Sequence, residues 1–389
     1  MKKKLAIVTT HPIQYYAPLF KLLSRQIELK VFYTWGEASI AKFDPGFGKN
    51  VEWDIPLLEG YSYHFLENSS KNPGSHGFKG VINSNIISTL KDYSPSFILV
   101  IGWCYHSHLK VIRHFKGIVP IYFRGDSTLL DNITEGSVGR LKLNIRRLIL
   151  KWVYSHVSKV FYVGSASKEY FKWAGLKESQ LVFAPHSIDN HRFEMDKTLD
   201  ALSIRSSLNI PESATVVLYA GKLETKKNPM LLLDAFNEVT LNNLFLIFMG
   251  NGFLETELKR AAQKGKKSNH VLFVGFQNQS LMSTWYRMSD IFCLPSQGPA
   301  ETWGLAINEA MVCGNAIIAS DKVGCATDLI KQNENGWVFE SGNKRELKMI
   351  LQNLPNKTKL KEMGEKSKEL IKDWSIGRTV EKMMDEFNC

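Results

Sequence analysis

From residue 215 onward, apolar runs and helical patterns take turns. The runs are TVVLYAG (215–221), LFLIFMG (244–250), HVLFVGF (270–276), DIFCLPS (290–296) and NAIIAS (315–320). They are nearly continuous in apolar residues, the pattern of strands buried on both faces. Between them lie NPMLLLDAFNEV, FLETELKRAAQKG, QSLMSTWYRMS and a helix from about Trp303 to Cys313. Asn228-Pro229 reads as a cap followed by proline at the first helical position. Strands of this kind separated by helices predict a parallel sheet covered on both sides.

The first half repeats the theme through KLAIVTT, LKVFYTW, SFILVIG, VPIYFRG, KVFYVG and LVFAP. Residues 43–84, rich in Gly, Asn, Ser and aromatics, show neither period and receive no element. The last stretch, WSIGRTVEKMMDEF, sets Ile376, Val380, Met383 or Met384, and Phe387 on one helical face. The expected fold is α/β, with two Rossmann-like doubly wound domains facing across a cleft. The first spans 1–190 and the second 191–374. A C-terminal helix, 375–389, packs back on the first domain, and the crossover lies in PHSIDNHRFEMDKTLD (185–200). Ligands of open α/β sheets bind beyond the carboxyl ends of the strands, so chemistry is sought there.

A chain of 389 residues exceeds one ordinary core, which agrees with two domains. Its five cysteines (Cys104, Cys293, Cys313, Cys325 and Cys389) are scattered, odd in number and without CxxC spacing. That argues against a disulfide framework or a zinc site and fits a reducing cytoplasm. The opening MKKKLAIVTTHP has too short an apolar region for a signal peptide. No run approaches the roughly 20 apolar residues of a membrane helix. The expected location is the cytoplasm, with peripheral contact on the cytoplasmic face of the inner membrane.

Charge brings in that membrane. Residues 1–195 hold 25 Lys and Arg against 15 Asp and Glu, so nearly all of the net +11 belongs to the first half. Such an excess suits an anionic partner, and it suits plain solubility equally well. GRLKLNIRRLILKWVYSHVSK (139–159) places Arg140, Arg146, Arg147 and Lys151 among Leu141, Leu143, Leu148, Ile149, Leu150 and Trp152. A basic amphipathic helix with tryptophan can lie at a membrane interface, or it can be a domain helix with one buried face. No basic strip of stacking aromatics is present, so nucleic acid is not an expected partner.

The chemistry concentrates in ETWGLAINEAMVCGNAIIASD, which follows a strand. A helix starting near Trp303–Gly304 offers unsatisfied N–H groups and a positive dipole end, a site for a diphosphate. Glu301 precedes that end and Glu309 lies one to two turns inside. Each carboxylate can accept two hydrogen bonds, matching a ribose diol and a sugar. A capping acid followed by a solvated one fits the same residues. GKLETKKNP (221–229) adds Lys222 and Lys227, cations suited to a leaving diphosphate, in what is otherwise an ordinary polar loop. MGNGF (249–253), with Asn251, is a small turn that can approach a nucleotide or simply join strand to helix.

The run PSQGPAETWGLAINEAMVCGNAIIASDKVGCATDLIKQNENG (295–336) resembles the signature of family 4 glycosyltransferases with the GT-B fold. GKLETKKNP, FMGNG and VGF…LMSTWYRMSDIFCLPS match that family in order and spacing, so the likeness covers about 185–340. TTHPIQYYAPLF and FRGDS look like a bacterial branch of it. The resemblance implies a retaining, metal-independent transfer of a sugar from a nucleotide donor, UDP- or GDP-linked. The acceptor is a glycan or a polyprenyl-diphosphate-linked glycan in O-antigen, capsule or exopolysaccharide synthesis. It places Lys222 and Lys227 on the donor diphosphate, with lysine at 222 where the family usually has arginine. It places Glu309 on the ribose diol, Glu301 near the donor sugar, and Gly304 and Leu305 at the phosphates. Phe276 lies where the family's backbone brackets the base. Thr302 replaces a common glycine and Trp303 a common phenylalanine.

In the first domain the glycine-rich loop of many relatives is HPIQYY, where Pro12 has no N–H to give a phosphate. His11 and Gln14 remain as hydrogen-bonding groups there. Where relatives often carry a histidine, this chain reads Arg124-Gly125-Asp126, a pair for acceptor orientation or proton transfer, or a buried salt bridge. His186, in PHSID, is a hinge or a ligand contact. No DxD, HExxH or clustered His/Cys is found, and no metal or resident cofactor is expected. Two alternatives are a GT-B sugar-nucleotide epimerase, which would not be expected to show this glutamate spacing, and a non-catalytic two-lobed binder of anionic ligands.

Overall fold

The computed structural model describes residues 3–40, 42–44, 49–75, 77–131, 136–299 and 301–388. Cys389 lies outside them, and the other four cysteines are free thiols. The chain divides into two compact units. One holds Met1–Lys42, Pro56–His186 and Ile376–Cys389, and the other holds Phe43–Ile55 and Ser187–Ser375. Phe43–Ile55 thus groups with the second unit, where the sequence reading kept all of 1–190 together.

The first unit is built on seven strands: β1 (Lys4–Thr9), β2 (Glu28–Tyr33), β3 (Ser62–Phe65), β4 (Phe97–Ile101), β5 (Ile121–Gly125), β6 (Lys159–Tyr162) and β7 (Leu181–Phe183). Their order is β3-β2-β1-β4-β5-β6-β7, and every pairing is parallel. Side chains alternate faces along a strand. Leu5 and Ile7 therefore enter one core with Val31 and Leu99, while Ala6 and Val8 enter the other with Phe32 and Val100. A strand with a core on each side needs apolar residues throughout, hence the unbroken runs. β3 escaped the sequence reading because it is an edge strand, with Ser62, Tyr63 and His64 exposed. Helix α1 (Ala17–Leu23) follows β1, and α2 (Gly136–Tyr154) precedes β6.

The main sheet of the second unit has six strands: β8 (Thr215–Ala220), β9 (Leu244–Met249), β10 (Val271–Val274), β11 (Ile291–Leu294), β12 (Ala316–Ser320) and β13 (Gly336–Phe339). Their order is β10-β9-β8-β11-β12-β13, again all parallel. The order reverses between β8 and β11, the point at which a doubly wound sheet opens a crevice for ligands. Helices α3 (Pro229–Asn237), α4 (Gln279–Met288) and α5 (Leu305–Val312) follow β8, β10 and β11.

The last helix, α6 (Ile376–Asn388), belongs to the first unit. Ile376, Val380, Met383 and Phe387 enter the same core as Leu5 and Ile7. Of the two methionines left open by the spacing, Met383 is the fully buried one. Phe387 lies 5.3 Å from the Phe97 ring and 5.0 Å from the Tyr122 ring. Lys3 Nζ donates to the Phe387 carbonyl at 2.7 Å. Among the described residues, no helix is long and apolar enough to cross a membrane.

Candidate functional site

The second unit gathers its distinctive polar residues beyond the carboxyl ends of β8, β9 and β11. A Cβ on Gly250 would fall 2.1 Å from the Gly221 carbonyl oxygen, so the loops after β8 and β9 meet only because that residue is glycine. The Tyr219 hydroxyl donates to the Lys222 carbonyl at 2.7 Å and steadies the start of the first loop. Lys227 closes a short 3-10 turn just ahead of α3. There Asn228 accepts from the Leu231 N–H at 3.4 Å, the cap read from Asn-Pro. Lys227 Nζ sits 2.6 Å from Glu301 Oε2, which also accepts from Ser296 Oγ at 3.0 Å. The lysine side chain is 19% exposed and the glutamate 9%, so each charge depends on the other for solvation. Gln297 N–H donates to the Lys226 carbonyl at 2.8 Å and ties the two loops together.

Gly304 begins α5 in the left-handed region, at φ 94°. A Cβ there would approach Val323 Cγ1 to 2.8 Å. Gly304 has no side chain with which to cap this helix start. Its first N–H groups lack intrahelical partners by geometry and carry the positive end of the dipole. Glu309 is 2% exposed, and its Oε2 accepts from the Tyr286 hydroxyl at 2.8 Å. The alternative of a capping acid and a solvated acid fails, because Glu301 does not cap and both carboxylates are buried. Gly324 N–H to the Glu301 carbonyl and Cys325 N–H to the Trp303 carbonyl, both 3.0 Å, hold the segment in place. The Trp303 indole turns inward: its Nε1 donates to Asn308 Oδ1 at 2.9 Å and its ring lies 5.0 Å from Trp374. Thr302 and Leu305 on either side are half-buried.

Asn251 bridges neighbouring loops, accepting from Phe276 N–H at 2.8 Å and donating to Glu255 at 2.9 Å. The Phe276 ring lies 6.1 Å from Trp53. Beside Trp53, Asp54 accepts from the Ser280 N–H at 3.1 Å at the start of α4, and Asn278 donates to the Glu52 carbonyl at 2.7 Å. These contacts were not anticipated, since the segment has no periodicity to read.

The first unit carries its own polar cluster. Arg124 is 1% exposed, with Nη1 donating to the Ala184 carbonyl at 2.8 Å and Nη2 to that of Pro185 at 2.9 Å. Burial lowers its affinity for the proton, and Tyr16 and Asp126 nearby restore part of it. Burial, reinforced by Arg124, pushes the His186 imidazolium down to about 4, while Asp126 opposes the shift. His186 is therefore neutral near pH 7. Its ring centroid is 6.3 Å from that of Tyr16. His11 accepts or donates at 2.8 Å with Thr10 Oγ1 and meets Trp35 edge-on at 5.4 Å. Gln14 is half-buried in the turn before α1.

Sequence reasoning missed His108. It is wholly buried, with Nδ1 2.6 Å from the Gly102 carbonyl and Nε2 2.8 Å from Thr34 Oγ1. The carbonyl can only accept, so Nδ1 carries a proton. Nothing in CYHSHLK separates it from the neighbouring His106. Nearby a cavity of about 400 Å³ is lined by Trp35, Glu37, Phe65, Glu67, Asn68 and Pro73, among others. Among the described residues, no group of three His, Cys, Asp or Glu is arranged to hold a metal ion.

The sequence profile of the family described as Glycosyl transferases group 1 matches residues 200–370. The lipopolysaccharide 1,2-N-acetylglucosaminetransferase of Salmonella typhimurium is 33% identical over 138 residues, 31% of this chain and 34% of that protein. The putative glycosyltransferase EpsD of Bacillus subtilis is 24% identical over 205 residues, 52% of each chain. The matches thus span from about a third to about half of these relatives' lengths. The structure of Anabaena Alr3699/HepE in complex with UDP and glucose superposes with a TM-score of 0.71 over 99% of both chains at 17% identity, a likeness of fold. Residues 200–370 thus match the profile of the group 1 glycosyl transferases, and the fold is of the GT-B type with two Rossmann-like units.

Proposed function

We propose that the chain is a retaining glycosyltransferase, moving a sugar from a nucleotide sugar to a glycan or lipid-linked acceptor in bacterial surface polysaccharide synthesis. The observation that carries this reading is the Lys227–Glu301 pair beside the glycine-led start of α5, with Glu309 held by Tyr286 along the same helix. In the reaction, the bond from the sugar C1 to the diphosphate oxygen breaks and its electron pair stays on that oxygen. An acceptor hydroxyl bonds to C1 on the same face and gives its proton to the departing phosphate. The new negative charge is met by Lys222, Lys227 and the N–H groups of Gly304 and Leu305. Metal is not assigned a role. Lysine at 222 acts as a point charge, without the two-pronged grip of arginine.

Glu309 takes the ribose hydroxyls. Accepting from Tyr286 does not exhaust a carboxylate, which has about four acceptor positions. Glu301 takes hydroxyls of the donor sugar and keeps Lys227 aimed at the phosphates. Thr302 and Trp303 contribute through the backbone, and Asn251 shapes the base site by fixing Phe276. The Anabaena structure holds UDP, which supports a uridine or a similar nucleotide as the donor's carrier. In the first unit, which takes the acceptor side, His11, Gln14 and neutral His186 serve sugar hydroxyls. Asp126 orients the acceptor. Arg124 is a positioning residue, because its guanidinium is occupied by the two carbonyls just before His186.

A panel of UDP-, GDP- and dTDP-sugars, screened by thermal melting, tests the reading, since a ligand of the folded state raises its stability. At least one member should raise the melting temperature, and Glu309→Ala should abolish the rise. If no sugar nucleotide shifts the melt, the proposal fails; a shift that survives Glu309→Ala removes the ribose role.

A further inference from the structure

We infer that helix α2 is a membrane-docking face, which seats an apolar stripe in a bilayer surface rich in anionic lipid. The stripe consists of Leu141, Ile145, Leu148, Ile149 and Trp152, with exposures of 60, 49, 68, 50 and 46%. At about 100° per residue these five fall within an arc of roughly 100°. Leu150, Val153 and Tyr154 point the other way into the core of the first unit, so the stripe is presented on a fixed support. Soluble proteins scatter exposed apolar residues singly and rarely line up five on one helix.

The charges name the occupant. From 140 to 154 the helix carries Arg140, Lys142, Arg146, Arg147 and Lys151 and no acid. The same wheel sets Arg140, Arg147 and Lys151 along one flank of the stripe, and Lys142 and Arg146 along the other. Arg147 Nε donates to the Trp173 carbonyl at 2.8 Å, and Arg113 lies 5.6 Å over the Trp152 ring, which holds two of these groups near the surface. Apolar side chains between two rows of cations fit acyl chains between two rows of lipid phosphates. A second copy of this chain would bring cations against cations across a two-fold axis. A nucleic acid would engage the cations but leave the stripe in water. The inference rests on the proposed lipid-linked acceptor only for its purpose; the binding stands or falls alone.

Flotation of the full chain with vesicles of phosphatidylcholine, with or without phosphatidylglycerol, provides the test. Binding is expected on the anionic vesicles at low salt, with loss on neutral vesicles or at high salt. Leu148→Glu with Trp152→Glu, both at exposed positions, should abolish flotation and leave the melting temperature unchanged. Lys142→Ala and Lys151→Ala should each weaken binding about fivefold, the effect of about 1 kcal/mol per cation near an anionic surface. The inference is overturned if the wild-type chain never floats, or if the double variant floats as well as wild type. It is also overturned if the chain is a dimer in solution that the same substitutions split. Melting shifts by sugar nucleotides on these samples separate the two readings: they should persist in every α2 variant, and their absence counts against donor binding alone.

Discussion

Tyr286 is fully buried and donates to Glu309 from behind the helix that carries it. A hydrogen bond to a charged group contributes about 1.5–3 kcal/mol. Losing it lets the carboxylate drift from the ribose it is proposed to hold. Tyr286→Phe should weaken donor binding about tenfold, equivalent to about 1.4 kcal/mol. The donor KM should rise with kcat little changed. Titration calorimetry with the active sugar nucleotide checks this, and unaltered affinity would show that Glu309 is oriented by other contacts. A second residue-scale prediction concerns acid. Burial pushes His108 down to about 4, whereas an unfolded chain titrates its histidines near 6.5. Above about pH 6.5 neither state binds the proton, and the difference has no effect. As pH falls toward 4 the unfolded chain takes up a proton that the folded chain refuses, so stability declines, and below about 4 it levels off. The loss attributable to this group is about 3 kcal/mol. Urea midpoints at neutral pH and at pH near 4 should therefore move apart less in His108→Gln than in wild type. An equal separation would show that carboxylates alone carry the acid sensitivity.

At the scale of the element, α5 depends on the residue that begins it. Gly304→Ala places a side chain at φ 94° and within 2.8 Å of Val323. The left-handed conformation alone costs about 1–2 kcal/mol for a residue with a Cβ, and the crowding adds to it. Gly342 makes a control, with φ 82° and open space around its missing Cβ. Gly304→Ala should lose more than 2 kcal/mol or so and also lose donor affinity, because the start of α5 moves. Gly342→Ala should lose only the backbone part and bind donor normally. Denaturant melts together with the donor titration distinguish the two, and equal behaviour would mean that the approach to Val323 is relieved without cost. The same scale shows what the sequence made legible. Strands covered on both faces announced themselves as unbroken apolar runs, and the spacing of Ile376, Val380 and Phe387 announced α6. β3 did not, since an edge strand with three exposed residues of four has no apolar signature. Nor did Trp53 and Asp54, whose contacts with Phe276 and Ser280 join segments far apart in the chain.

Across the whole molecule, both sheets keep the order that short right-handed crossovers impose on alternating strands and helices. That is why the fold could be read from periodicity. The candidate site was legible as separate loops after strands. The link between Lys227 and Glu301 was not, because nothing local joins residues 74 positions apart. The chain path itself yields the last prediction. α6 closes one face of the first unit with Ile376, Val380, Met383 and Phe387, all at most 8% exposed. Replacing a buried phenylalanine by alanine costs about 3–5 kcal/mol, so Phe387→Ala alone should remove a large part of a typical margin of about 5–15 kcal/mol. Ending the chain at Ser375 removes all four side chains and should unfold the first unit. The second unit has its own core, to which α6 contributes no residue. A protease should then cut the shortened chain between β1 and β7 and spare β8 to β13. The sugar nucleotide that stabilises the full chain should still raise the melting temperature of what remains. If the shortened chain resists proteolysis throughout its first 186 residues, the first unit does not need α6. If donor binding disappears with α6, the donor groups do not act within the second unit alone.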